Sequence, residues 1–414
     1  MAPLTKAAAW PPHSKYPRRV ERSKLKPQVI LFGLISLLND SASEMIYPLL
    51  PVFLTTTLGA TPLVVGMIEG TADALSSILK LAAGWISDRV KSRKPLVVGG
   101  YALAAGSRAW ISVAGSWPSV LAARLVDRSG KGVRSAPRDA MIADVTEPAM
   151  RGKAFGFQRA LDHTGAVIGP LLALALLYGA HLPMRTVFMI AVIPGAIGVV
   201  LLMAFLKEPP RVTRSAKLDL QNPAPLPASF WRAMAAISLF SLANSSDAYL
   251  LLRAHSAGVA TGLLPLLWAA HHLIKSGFST WTGSLSDRID RRWLLMAGWA
   301  VYAVIYFAFP LAGSLPWFLV LFILYAIPFT LTEGAERAWI SDLVPPEVRG
   351  KSFGIYYLCT GLFVLAGTAL FGVLYQRVSP QAAFTTGAAL ALAAAMVIAG
   401  QRFRHGKEMN NKSS

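Results

Sequence analysis

The chain has 414 residues, 54% of them hydrophobic and 15% charged, and a formal net charge of +19. A soluble chain of this length divides into domains with polar surfaces; here apolar residues run in blocks of about 20, the length that crosses a bilayer as helix. Nucleic-acid binding, the usual reading of so basic a chain, is excluded by where the charge lies, because Lys and Arg gather in alternate loops between apolar blocks.

The first 27 residues are polar and basic (Lys6, Lys15, Arg18, Arg19, Arg22, Lys24, Lys26) and lack the short apolar core of a cleavable signal. Twelve spans are predicted after them, at 28–55, 62–87, 94–115, 117–146, 152–178, 184–206, 229–256, 261–286, 292–313, 315–343, 350–377 and 381–403. Basic residues fill 89–94, 151–153, 207–217, 288–292, 349–351 and 402–412, whereas the intervening turns "TTTLGATP", "AGSWP" and "LAGSLPW" carry none. This positive-inside pattern places both termini in the cytoplasm. The expected organisation is a cytoplasmic tail (1–27), a six-helix bundle (28–206), a Pro-rich charged linker (207–228), a second six-helix bundle (229–404) and a cytoplasmic tail (405–414).

The halves repeat each other. "GWISDRVKSRK" from Gly84 matches "GSLSDRIDRR" from Gly283, an offset of 199; "MIADVTEPAMRGKAFGF" from Met141 matches "WISDLVPPEVRGKSFGI" from Trp339, an offset of 198. Duplicated six-helix halves are a transporter architecture, with the substrate site between them.

The fourth span contains "RLVDRSGKGVRSAPRDAMIAD", residues 124–144. Its counterpart in the repeat, "LVLFILYAIPFTLTEGAERAWISD", is apolar enough to span, so the charged copy is predicted to span too. Residues 117–145 give roughly 40 Å of helix at about 1.5 Å per residue. Arg124, Asp127, Lys131, Arg134 and Arg138 recur at spacings of 3, 4, 3 and 4 and form one stripe. An ionised residue at the bilayer centre costs about 2.5–3.5 kcal/mol, so that stripe must face protein or water. Gly130 and Gly132 permit close helix approach.

Other spans supply the opposite charge: Asp40 and Glu44 with Tyr47 on the first, Glu69 and Asp73 with Lys80 on the second, Arg159 and Asp162 on the fifth, Asp247 and Arg253 on the seventh, and Glu333, Glu336 and Arg337 on the tenth. Two readings stand. In one, these groups pair and hold the bundle together. In the other, they line a cavity. Asp40, Glu44 and Asp162 are then the proton carriers, because neighbouring charge and burial tune a carboxyl in either direction. Arg124, Lys131, Arg134, Arg138 and Arg159 would draw an anionic substrate group. Tyr47, Glu69, Asp73, Asp247, Arg253, Glu333 and Arg337 complete the candidate substrate cavity.

Three weaker motifs fail. "SGKG" lacks the first Gly of a phosphate loop, Leu125 standing in its place, and no strand precedes it. His271 and His272 are adjacent, about 100° apart on a helix, and make a poor metal pair. The lone cysteine, Cys359, reads as a small buried side chain and allows no intrachain disulfide.

"GWISDRVKSRK" resembles the loop signature of the major facilitator superfamily, Gly-x-x-x-Asp-Arg-x-Gly-x-Arg-Lys, with Lys91 in place of the second Gly; "GSLSDRIDRR" is a weaker second copy. The resemblance implies the twelve-helix, all-α membrane fold of that family, two pseudo-symmetric six-helix bundles. It assigns Gly84, Asp88, Arg89, Arg93, Gly283, Asp287 and Arg288 to the cytoplasmic gate, with Asp88 and Arg89 meeting neighbouring helix ends, and it links Arg124 to proton coupling. Gly156, Gly165, Gly169 and Pro170 match the antiporter signature Gly-x8-Gly-x3-Gly-Pro-x2-Gly-Gly except at the last pair, where Ala173 and Leu174 stand. That signature marks exporters in the drug–proton antiporter branch; the plainer reading of the small residues is close packing. "DRSGKGVRSAPRDA" and "SASEMIYPLLP" resemble a prokaryotic subgroup.

The expected function is therefore secondary transport of a small molecule by alternating access, by a monomer in the cytoplasmic membrane of a prokaryote. It is driven by the proton gradient without cofactor or metal, and is not enzymatic. Efflux by antiport is the first reading, import of an anionic metabolite or chelate the second, and a receptor or scaffold without flux the alternative of another class.

Overall fold

The computed structural model describes residues 24–60, 62–208, 225–244, 247, 250 and 264–410, with backbone alone at 62–63, 65–66, 264–265 and 401–410. Twelve long helical segments follow one another among the described residues: α1 (Pro27–Glu44), α2 (Pro62–Arg89), α3 (Lys94–Val113), α4 (Trp117–Val145), α5 (Arg151–Leu174), α6 (Met184–Phe205), α7 (Ala228–Ala243), α8 (Leu264–Ser286), α9 (Arg291–Ala308), α10 (Leu315–Asp342), α11 (Arg349–Arg377) and α12 (Pro380–Asn410). Most of the N-terminal tail and the linker lies outside the described residues, as does most of the predicted seventh span beyond Asn244.

One span differs from expectation in form. The first is broken: α1 ends at Glu44, a turn follows, and helix resumes at Leu50–Val52 and Phe53–Thr57. Pro48 and Pro51 explain it, since each removes an amide donor and disfavours helical backbone at the residue before it. The charged α4, by contrast, is one helix from Trp117 to Val145 and carries Pro137 in its interior.

Seven of the described helices are long and apolar enough to cross a membrane by length and composition. α4 is not among them, because its charges lower its hydropathy. Large apolar side chains are exposed on the outside of the bundle, among them Ile193, Ile197 and Val200 on α6 and Val304 and Phe307 on α9. So much exposed apolar surface suits lipid, not water.

The loops 89–94, 146–151, 287–291 and 343–349, which adjoin the basic segments, lie together at one end of the bundle, called here the basic end. α5 packs against α8 and α2 against α11, joining the halves. Within the C-terminal half an aromatic core of Phe240, Trp299, Tyr302, Tyr306, Tyr325 and Phe384 locks α7, α9, α10 and α12 together; Tyr302 and Tyr306 stack at 4.2 Å and Phe240 and Trp299 at 4.9 Å between ring centroids.

Candidate functional site

At the basic end one ion-pair lattice is built twice. Asp88 closes α2 and accepts hydrogen bonds from the amides of Gly350 (2.9 Å) and Lys351 (2.6 Å), the first turn of α11. Arg93 binds Asp88 at 2.8 Å and Asp144 at 2.5 Å, and Asp144 takes Arg349 of the other half on its second oxygen. In the second copy Asp287 accepts from the amides of Gly152 (2.7 Å) and Lys153 (2.8 Å) on α5. Arg291 binds Asp287 at 3.1 Å and Asp342 at 3.0 Å, and Asp342 takes Arg151 at 2.6 Å. Each aspartate of the loop thus sits on the N-terminus of a helix in the opposite half, where amide donors and the helix dipole favour negative charge.

The backbones approach closely enough to require glycine. A Cβ on Gly84 would fall on the carbonyl of Gly350, and one on Gly283 on the carbonyl of Gly152. Burial raises Asp88 above its usual value and pushes Asp287 up to about 6, against the opposing pull of Arg93 on the first and Arg291 on the second and of the amides bound to both.

The lattice corrects part of the expected set. Arg89 does not reach a neighbouring helix end: its guanidinium stacks on Trp85 at 3.5 Å and donates to the Trp85 carbonyl at 3.2 Å. Arg288 is exposed. Each follows its aspartate by one residue, about 100° further round the helix, and so points away from the other half. The cations that pair with the loop aspartates are Arg93 and Arg291. Arg291, Asp144, Asp342, Arg151 and Arg349 were not among the predicted residues, although the repeated phrases contain all five.

Toward the opposite end, the predicted stripe on α4 divides. Arg124 grips Glu69 of α2 with two bonds (2.9 and 2.6 Å) and Asp127 with a third (3.0 Å). Arg128, which lay off the predicted stripe, binds Asp73 at 3.0 Å and Glu69 at 3.6 Å. These pairs tie α2 to α4, and bidentate geometry makes the first the strongest. Tyr47 is exposed near them, its ring 5.9 Å from the Arg124 guanidinium. Arg134 is buried over the Tyr101 ring at 4.2 Å. Arg138 binds its neighbour Asp139 at 2.9 Å. Asp139 also accepts from the Tyr357 hydroxyl and lies 3.4 Å from Arg337, both of the other half.

A second cluster joins the halves at mid-depth. Arg159 on α5 is held by Asp162 of its own helix and by Glu333 of α10 at 2.5 Å. Glu333 also binds Lys275 of α8 at 2.8 Å and His163 at 3.2 Å, and His163 meets His272 at 3.1 Å. Asp40 receives the Asn39 amide at 2.9 Å and its carboxyl adjoins that of Asp162. Glu44 and Lys131 form no ion pair among the described residues, although Lys131 is close enough to act on Glu44 electrostatically. Asp247 accepts from the Tyr325 hydroxyl at 2.8 Å. Arg253 lies outside the described residues. Lys275 and His163 were missed because their shared partner, Glu333, stands on another helix and spacing along the sequence does not show that meeting.

Three glycines of the antiporter-like motif serve packing. A Cβ on Gly165 would strike the Leu37 carbonyl and one on Gly169 the Ser41 carbonyl, both on α1, while Gly156 abuts the Ser279 carbonyl of α8. Pro170 lies inside α5.

Residues 32–274 and 254–413 match the family model of the Major Facilitator Superfamily. The chain belongs to that superfamily. Among relatives of this facilitator is an uncharacterised MFS-type transporter of Methanocaldococcus jannaschii, 31% identical over 91% of this chain and 95% of that one. The multidrug resistance protein MdtH of Edwardsiella ictaluri is 33% identical over 33% of this chain and 34% of its own length. Two crystal structures share the fold. The human organic anion transporter MFSD10 has a TM-score of 0.75 at 18% identity, covering 90% of this chain and 98% of that one. A double-Trp mutant of XylE has a TM-score of 0.72 at 17% identity, covering 89% and 94%. The facilitator is therefore an integral membrane protein of a transporter family.

Proposed function

We propose that the protein is a proton-coupled secondary transporter that works by alternating access, and that its basic end faces the cytoplasm of a prokaryotic cell. The observation that carries this reading is the duplicated lattice. It fastens both halves at the basic end, while Lys131 at the midpoint of α4 and Asp73 nearer the other end of α2 remain exposed. On this reading the bundle is closed at the basic end and opens toward the other end of the polar mid-depth layer. Transport then requires the lattice to break as the halves rock.

Asp40, Asp162 and Glu44 are the proposed proton carriers. Asp40 and Asp162 adjoin, and Asp162 shares Arg159 with Glu333 of the other half. A proton arriving on this pair changes what holds Arg159, and so links protonation to the contact between halves. Arg124 belongs to the set through Glu69, the partly exposed acid that it binds. The gate residues are Gly84, Asp88, Arg93, Gly283 and Asp287 with Asp144, Asp342, Arg151, Arg291 and Arg349.

Efflux by antiport is supported by the likeness of a third of the chain to a multidrug resistance protein and by the partial antiporter motif. Import of an anion is the second reading, favoured by the two lysines, Lys80 and Lys131, that no carboxylate neutralises among the described residues. Inverted vesicles loaded with a pH-sensitive dye separate them. Proton release from the lumen on adding substrate indicates antiport. A set of deletion cells screened for altered toxicity or growth supplies the candidates. Protein that binds a ligand without any flux would instead be a receptor in a transporter fold.

A further inference from the structure

Most cations at mid-depth are engaged. Arg124, Arg128, Arg138, Arg159 and Lys275 hold carboxylates, Arg337 holds Asp139 and the Glu333 carbonyl, and Arg134 is buried against Tyr101 and the Gly100 carbonyl. Lys80 of α2 and Lys131 of α4 differ. Neither ammonium has a hydrogen bond or an ion pair among the described residues, and the nearest aromatic partner of Lys80 is the Tyr357 ring at 5.1 Å. Lys131 is exposed although it stands between buried Gly130 and Gly132 at the midpoint of its helix.

The two lysines belong to one place. α2 and α4 touch where Gly132 meets Leu79 and the Ser76 backbone, and Lys131 and Lys80 flank that contact. α11 forms the third wall: Gly354 lies on the backbone of Lys80 and Leu81, and Tyr357 follows one turn later. The charged groups that face Lys131 are Asp40 and Glu44 of α1, Asp73 and Lys80 of α2, and Arg128 and Arg134 of its own helix. Those that face Lys80 are Asp73, Arg128, Lys131 and Arg337. No acid among them closes to ion-pair distance on either lysine.

Two like charges held near each other without a counter-ion repel, and a bound anion reverses that penalty. Lysine suits the task better than arginine would, because its hydrated point charge on a flexible stem binds an anion without the rigid bidentate grip that opposes release. We propose that Lys80 and Lys131 form the anion-binding part of the substrate site, and that the substrate is a small organic molecule bearing an oxyanion, carboxylate or phosphate. This rests on the second reading above, import of an anion, in calling the ligand a substrate. The carboxylates of Asp40 and Glu44 face Lys131 and oppose the approach of an anion. Protonating them removes that negative charge, so proton and anion bind together, as the import reading requires, and anion affinity rises as pH falls.

The test is thermal unfolding of the purified full-length protein with succinate, benzoate, glycerol 3-phosphate or tetraphenylphosphonium, at pH 5.5 and 7.5. At least one oxyanion is expected to raise Tm, more so at the lower pH, and comparison of the two carboxylates with the phosphate identifies the group. Affinity should fall at least tenfold in Lys80→Met and Lys131→Met and be largely kept in Lys131→Arg, which also answers for folding. Stabilisation by the cation alone, by none of the four, or by an oxyanion equally in wild type and both Met variants overturns the proposal. Proton-coupled flux in liposomes reads the transporter function separately. Oxyanion binding without flux overturns that function and leaves the site standing; flux of another substrate, unchanged in both Met variants, does the reverse.

Discussion

Asp139 of α4 and Arg337 of α10 occupy equivalent positions in the two halves, at the repeat offset of 198, and meet each other across the interface at 3.4 Å. A residue that touches its own counterpart lies near the pseudo-two-fold axis. Had the copies stayed identical there, like charges would face each other. Instead Arg138–Asp139 in one half answers Glu336–Arg337 in the other, and the Tyr357 hydroxyl joins the same carboxylate. Duplication supplied the geometry, and charge reversal turned a repulsive contact into an attractive one.

This pair should couple energetically. In a double-mutant cycle of Asp139→Asn and Arg337→Gln, each single change removes one of several partners of the other residue, and the double change costs less than the sum of the two by about 0.5–3 kcal/mol. Denaturation in detergent measures it. Strict additivity would show that the two residues do not interact in the folded protein.

The glycine contacts predict a steric effect on closure. Gly84→Val and Gly152→Val should prevent the halves from meeting at the basic end, because the added carbons would overlap the facing carbonyls. Spin labels on Lys91→Cys and Glu347→Cys, in a Cys359→Ser background, are expected to show a longer distance in either variant, with turnover reduced about tenfold or more. Gly106→Val, where nothing lies within reach of a Cβ, is the control.

The lattice also predicts a pH response. Asp287 is pushed up to about 6 from its ordinary 3.8 by burial, the largest cause, with the charge of Asp342 adding to it and Arg291 opposing. Burial raises Asp88 likewise. Such a carboxyl binds a proton more readily when the end is closed than when opening exposes it. Acidification from pH 7 through 6 therefore favours the closed form, and that advantage is lost as pH rises again through 6. The same pair of spin labels should report more closed protein at pH 5 than at pH 7, and Asp88→Asn with Asp287→Asn should flatten the dependence.

Much of this architecture was legible in the sequence, for identifiable reasons. The loop phrases recur, and the shift of offset from 199 to 198 falls within the loop, which is one residue shorter in the second copy. That deletion explains why Arg291, and not Arg292, takes the place of Arg93. Periodicity put Arg124, Asp127, Lys131, Arg134 and Arg138 on one stripe facing protein or water but omitted Arg128, because a mixed-sign helix admits more than one stripe and only the position of Glu69 and Asp73 selects among them. Long-range partners leave no periodic trace. Lys275 and His163 meet Glu333 only because α5, α8 and α10 converge there. The resemblance credited Arg89 with a contact that the helix turn gives to Arg93.

Charge at mid-depth sets the last prediction, and it is the most direct test of the account. Protein reconstituted in liposomes with an imposed pH gradient should move substrate and protons together, and Asp40→Asn or Asp162→Asn should abolish the coupled proton flux while leaving folded protein in the bilayer. Full coupled flux in both variants would contradict the account.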